Sequence, residues 1–273
     1  MTTATPLLEL ENVHKWYGQR HVLRGIDLRL HQGEVVCVIG PSGSGKSTLL
    51  RCINQLEKAD AGTISLGGVD VMHEKRRGKL FERSGKDVAA FRQRIGMVFQ
   101  HFNLFGHMSA VENVMFGPRQ VNGVDKVVAR ARAMELLDMV GLAARASQLP
   151  TQLSGGEQQR VAIARCLAME PEILMFDEAT SALDPELVAE VINVMKELAR
   201  AGTTMIAVTH EMGFARDAAD AIVMMDAGLI IEEGPTAEVL NAPRHARTAL
   251  FLGHVANRPD NRPDSRPANR PDV

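Results

Sequence analysis

Residues 40–48 read Gly-Pro-Ser-Gly-Ser-Gly-Lys-Ser-Thr, a G-x-x-x-x-G-K-[ST] pattern. Gly40, Gly43 and Gly45 carry no Cβ, so the chain through Pro41, Ser42 and Ser44 can curl and point successive backbone N–H groups inward. With the positive end of a helix dipole behind them, those donors make a nest for anionic phosphates. Lys46 is placed to reach the terminal phosphates of a nucleoside triphosphate such as ATP. The Ser47 hydroxyl, followed by Thr48, is placed to ligate the accompanying Mg²⁺.

Three other strand-like runs end in polar residues: Ile95–Phe99 on Gln100, Ile173–Phe176 on Asp177-Glu178, and Thr203–Thr209 on His210. In open parallel sheets, ligands bind beyond the carboxyl ends of the strands. Asp177 is the carboxylate a phosphate loop needs to hold Mg²⁺ through its water shell. Glu178, one residue later, points elsewhere and can polarise an attacking water.

The elements that must position these groups are legible as periodicity. The apolar run Val35–Ile39 precedes the loop as a buried strand, and Leu49, Leu50, Ile53 and Leu56 follow at helical spacing. Leu8 and Leu10 alternate with Glu9 and Glu11 as a half-buried strand, and a second strand pattern runs from Val22 to Leu30. Short strands and a Gly-Gly turn are expected between Gly62 and Val71. In residues 101–153, Val127, Val128, Ala131, Met134 and Leu137 predict the core face of an amphipathic helix, so a helical subdomain is expected within the α/β core. Asp184 and Pro185 open a helix as N-cap and first helical residue. Its expected core face is Leu187, Val188, Val191, Met195 and Leu198. Ile222–Met225 and Leu229–Ile231 flank Asp226-Ala227-Gly228 as a hairpin.

Composition bounds the rest. The chain has 273 residues, 45 % of them apolar, and a net charge of −2, so no global field draws it to nucleic acid or an anionic membrane. Its three cysteines show no metal spacing and fit buried positions in a reduced, cytosolic compartment. The N-terminus has no signal-peptide pattern, and no run of apolar residues is long enough to span a bilayer. Residues 73–87 hold six Lys/Arg and three Asp/Glu. A solvated insertion is expected there rather than a nucleic-acid patch, since only Phe81 offers a stacking surface. From Asn257 a tetrapeptide repeat of Asn/Ser-Arg-Pro-Asp/Ala predicts a disordered or polyproline-like tail over 257–273.

Leu153-Ser154-Gly155-Gly156-Glu157-Gln158 resembles the signature of ATP-binding-cassette (ABC) ATPases. The resemblance implies a P-loop NTPase (RecA-like) α/β core with an antiparallel β subdomain and an inserted helical signature subdomain. The cassette would span residues 1–256 and the helical part about 101–165. It also implies a head-to-tail homodimer or paired ABC subunit, in which Ser154, Gly155, Gly156 and Glu157 close over ATP held by the partner, and Asp184 crosses the interface. Tyr17 resembles the aromatic that stacks on adenine, with Trp16 beside it as a competitor. Gln100 resembles the loop glutamine that touches Mg²⁺ and the attacking water and senses the membrane partner. His210 resembles the switch histidine that contacts γ-phosphate and orients Glu178.

Residues 51–57, 99–108 and 209–215 are similar to subunits that energise uptake of polar amino acids, although Gly106 departs from many relatives. This similarity implies integral membrane permease subunits and an extracytoplasmic solute-binding protein as partners. It implies a peripheral position on the cytoplasmic face of the membrane and no nucleic acid. A cassette for another solute or for export is the alternative within transport. A cassette protein acting on nucleic acid or the ribosome is the alternative outside it, and a single signature with no heptads argues against that.

Overall fold

The computed structural model describes residues 5–76 and 79–256. Alternating apolar residues make β1 (Leu8–Tyr17) and β2 (Arg20–Leu30), which bury Leu8, Leu10, Val13, Leu23, Ile26, Leu28 and Leu30 on one face. β3 (Val35–Ile39) is buried throughout and leads through the phosphate loop into α1 (Lys46–Ile53). β4 (Ala61–Leu66) and β5 (Val69–Asp70) complete an antiparallel sheet of order β2-β1-β4-β5, turning at Gly67 and Gly68, both with positive φ.

The charged stretch after it is ordered where described. β6 (His73–Arg76) and β7 (Lys79–Glu82) form a hairpin, and α2 (Gly85–Gln93) starts on a Ser84/Asp87 capping box. Within the insertion expected over 73–87, Lys79–Glu82 are exposed, yet the stretch is built of paired strands and a helix start. Arg77 and Gly78 lie outside the described residues.

β8 (Ile95–Phe99) is followed by α3 (Ala110–Gln120), α4 (Lys126–Met139) and α5 (Gly155–Leu167). Then come β9 (Ile173–Asp177), α6 (Pro185–Arg200), β10 (Met205–Val208), α7 (Met212–Ala218), β11 (Ala221–Asp226), β12 (Leu229–Pro235), α8 (Thr236–Asn241) and α9 (Ala246–Ala256). The central sheet has order β12-β11-β3-β10-β9-β8, all parallel except β12. Its residues alternate strictly between two cores. Val36, Val38, Met175, Ile206 and Val223 face the antiparallel sheet and α1. Cys37, Ile39, Leu174, Phe176 and Ala207 face the helical layer.

Two expectations need correction. The buried face of α4 is Ala129, Ala133, Leu136 and Leu137, while Val127 and Val128 are 75 % and 59 % exposed. Asp125 caps this helix by accepting from Val127 N and Val128 N, which fixes both valines in a first turn that faces water. The boundary expected near 165 falls inside α5, a helix that packs on α3 and α4 and also on β8 and α6. The tail expected over 257–273 lies outside the described residues.

Candidate active site

Four polar strand ends meet because the parallel register lines them up. Phe99 and Val208 both pair with Asp177, and Val208 pairs with Val38 just before the loop. Gln100, Asp177-Glu178, His210 and the phosphate loop therefore share one edge of the sheet.

The loop is shaped by glycines with real geometric demands. A Cβ on Gly40, at φ 145°, would lie 2.1 Å from Met225 O. Gly45, at φ 106°, is the N-cap of α1. Lys46 is buried, and its Nζ donates to Gly40 O at 2.9 Å and Pro41 O at 3.0 Å. Burial lowers its pKa from the ordinary lysine value. The Ser47 hydroxyl donates to Asp177 Oδ1 at 2.7 Å. Burial pushes the Asp177 carboxyl above its usual range. A buried anion beside a hydroxyl, at the start of a helix, is an oxygen pair suited to a hard cation such as Mg²⁺.

Glu178 adopts φ 51°, a left-handed conformation rare for glutamate. Its amide bonds Val208 O at 3.0 Å, which ties the turn to the end of β10. Glu178 Oε1 lies 3.5 Å from His210 Nε2, and Oε2 accepts from the Ser181 hydroxyl at 3.3 Å. The hydrogen bond from His210 is the main reason that the Glu178 pKa lies below the ordinary glutamate value. His210 Nδ1 is buried with no hydrogen-bond partner.

A cleft of about 320 Å³ lies over these groups, lined by Tyr17, Arg20, Val22, Ser42, Gly43, Gly45, Lys46, Ser47, Thr48 and Glu178. A larger cavity of about 610 Å³ includes Gln32, Glu172, Thr203 and Thr204, at the amino ends of the strands, and holds none of this chemistry. Of the two aromatic candidates, Tyr17 enters the cleft. Trp16 points the other way, stacked on His21 at 4.1 Å.

The signature residues form a second, separate group. Ser154 is the exposed N-cap of α5, and its Oγ accepts from Glu157 N at 3.2 Å while Glu157 Oε2 accepts from Ser154 N at 2.8 Å. Cβ atoms on Gly155 and Gly156 would meet Leu183 and Leu187, each at 3.1 Å, so the glycines let α5 lie close against the start of α6. Asp184 stands there as the exposed N-cap, without the expected side-chain capping bond. None of residues 153–158 lines the cleft.

Sequence reasoning missed the polar residues that hold the chain on either side of Gln100. Gln159 Nε2 donates to Phe99 O at 3.1 Å, and Arg165 donates to Asn103 O and Phe102 O. Asn113 bonds Phe105 N and O, Met108 O and Ser109 O. Asn113, in an otherwise apolar helix face, was the available signal. Arg20 was missed as a lining residue, four positions from Trp16.

The family model described as ABC transporter matches residues 23–181. The chain belongs to the ABC transporter family. It is 54 % identical over 246 residues to the arginine transport ATP-binding protein ArgV of Corynebacterium glutamicum, covering 90 % of this chain and 97 % of that one. It is 51 % identical over 251 residues to the glutamine transport ATP-binding protein GlnQ of Geobacillus stearothermophilus, covering 92 % and 100 %. Among solved structures it is similar to the dimeric post-hydrolysis state of the ATP-binding cassette MJ0796 bound to ADP and Pi. That match has a TM-score of 0.72 and 34 % identity, over 84 % of this chain and 98 % of that chain. As an ABC cassette the chain binds ATP and is an ATPase. Among the described residues, no helix is long and apolar enough to cross a membrane.

Proposed function

We propose that two copies of this chain close head to tail around two Mg·ATP and energise the uptake of polar amino acids. The observation that carries this reading is the division of the site. One edge of the sheet holds a phosphate loop with its acids and histidine, while the start of α5 lies apart from it, with Ser154 exposed. The names of the relatives, which transport arginine or glutamine, support the substrate class.

ATP is the substrate. Its adenine stacks on Tyr17, and its phosphates lie in the N–H nest of residues 40–48 with Lys46 on the terminal pair. Ser47, Asp177 and Gln100 would hold Mg²⁺, which neutralises charge developing on the phosphates. Glu178, ionised and turned by His210, takes a proton from the attacking water. Ser154 and the first amides of α5 from the second copy stabilise the terminal phosphate, and Asp184 crosses between copies. The chain docks peripherally on integral permease subunits at the cytoplasmic face, supplied by an extracytoplasmic binding protein. The segment from Gln100 to Met108 carries the signal between ATP site and permease.

Reconstitution with copurified permease and binding protein tests the reading. Labelled arginine or glutamine should enter vesicles only with ATP on the side of this chain, and Glu178→Gln should abolish entry while ATP still binds. Uptake that persists at the wild-type rate in Glu178→Gln would refute it.

A further inference from the structure

The β1–β2 hairpin sends different side chains to its two faces. Tyr17 and Arg20 are cross-strand partners on either side of the Gly18-Gln19 turn, and Trp16 and His21 are partners one step further back. Partners in an antiparallel pair leave the same face, and neighbours along a strand leave opposite faces. Trp16 and His21 accordingly stack on each other away from the site, while Tyr17 and Arg20 both line the nucleotide cleft.

Three charged residues line that cleft, and two of them are held by this chain. Lys46 Nζ donates to Gly40 O and Pro41 O, and the Glu178 carboxylate meets His210 and Ser181. Arg20 is exposed, and among the described residues no acceptor engages its guanidinium. Its Nη2 lies 3.8 Å from the point where a Cβ on Gly43 would stand, so the cation hangs over the phosphate loop. Two neighbours locate it along the nucleotide. Tyr17, beside Thr48, marks the base end, and Lys46, in the field of Glu178 and Asp177, marks the terminal phosphates. Arg20 stands next to the first and short of the second.

We propose that Arg20 is a second cation of the ATP site and binds the phosphates next to the ribose, those that remain in ADP. This rests on the reading above, in which adenine stacks on Tyr17 and Lys46 reaches the terminal phosphates. A guanidinium presents parallel N–H donors that match two oxygens of a phosphate, whereas ribose hydroxyls are neutral and gain less from it. Because ATP and ADP share these phosphates, the contact is uniform binding. It tightens substrate and product together and adds nothing to the chemical step.

Calorimetric titration of the full chain with ATP and with ADP, without Mg²⁺ so that no turnover occurs, tests this at low and high salt. Arg20→Gln should raise the Kd of both nucleotides by the same factor, about tenfold at low salt, the worth of one charge-assisted hydrogen bond. The factor should shrink at high salt, because an exposed ion pair is screened. Steady-state ATPase with Mg²⁺ should show the loss in KM rather than in kcat. Arg20→Lys keeps the charge without the fork and should fall between. Arg29→Gln removes a cation farther along β2, paired with Glu9, and should leave both affinities unchanged. Unchanged affinities in Arg20→Gln, a loss confined to ATP, or a loss of equal size at both salt concentrations would each overturn the proposal. Lys46→Ala, run in parallel, separates this from failure of the site itself. If it too leaves binding unchanged, the cleft is not where the nucleotide sits; if it alone weakens binding, only the role of Arg20 falls.

Discussion

The phosphate loop and the signature helix both start a helix with glycine and serine, yet they present opposite faces to solution. At the loop, charge is satisfied within the chain: Lys46 on two carbonyls, Ser47 on Asp177, Glu178 on His210 and Ser181. At α5, Ser154 is exposed, and the capping box pairs only the Ser154 and Glu157 amides, leaving those of Gly155 and Gly156 without an intrahelical acceptor. The intrachain half is self-contained, whereas the other half is only an offer. If two copies close head to tail as proposed, a site split this way would make hydrolysis wait for the second copy.

The sharpest way to break this comparison is to disable each half in a different chain. Lys46→Ala and Ser154→Arg homodimers should be nearly silent, since loss of one preorganised contact costs on the order of 10²–10³ in rate. Mixing them should restore ATPase, because both lesions can fall in one site and leave the other whole. If each variant is active in hybrids with wild type yet the pair never rescues, the site lies within one chain.

Within the self-contained half, Glu178→Gln should lower kcat by about 10²–10⁴ while Mg·ATP binding survives, and the ATP-bound dimer should accumulate on gel filtration. Near-normal turnover would remove Glu178 from the mechanism. Asp177→Asn should instead weaken the Mg²⁺ dependence of ATP binding.

A smaller effect is expected in the acid limb of the pH profile. The hydrogen bond from His210 holds the Glu178 pKa down, so the carboxylate stays ionised below its ordinary range. In His210→Ala this support is lost and the pKa rises, so the residual rate should fall off at a higher pH than in wild type. The linked stabilisation has the same sign: present above the unfolded pKa of Glu178, lost as pH falls through the lower folded value, and reduced in the variant. A limb that does not move would mean that the contact does not tune the base.

The smallest effect concerns the segment joining the two halves. Asn113→Ala takes away the partner of the Phe105 amide and of the Met108 carbonyl and should cost about 1–3 kcal/mol of stability by denaturant titration. In the assembled transporter it should reduce substrate stimulation of ATPase more than basal ATPase. Equal losses would make Asn113 a stability residue alone.

The phosphate loop, Asp177-Glu178 and the signature were legible because each is contiguous and bounded by an apolar run or a helix start. The parallel core was legible for the same reason, as Val35–Ile39 and Ile173–Phe176 are buried on both faces. Gln159 was not, since its acceptor, Phe99 O, lies 60 residues away and only tertiary packing brings them together. The α4 face was misread because short alanines, Ala129 and Ala133, do the packing while two valines follow the cap into water. Nor does any local pattern announce the left-handed backbone at Glu178, which is imposed by the bond from its amide to Val208 O.

If Lys46 engages the terminal phosphates as proposed, its carbonyl cradle would make the loop a counter of phosphates. An ammonium leaves two neutral acceptors only for stronger ones, and bonds to charged oxygens are roughly twice as strong as neutral bonds. A nucleoside monophosphate ends short of the terminal positions that Lys46 reaches, so it leaves the lysine bound to Gly40 O and Pro41 O. A triphosphate draws the lysine out, and with it a positive charge that burial had already made reluctant. Discrimination by chain length would thus come from a lysine changing partners, with no contact to the base or sugar required.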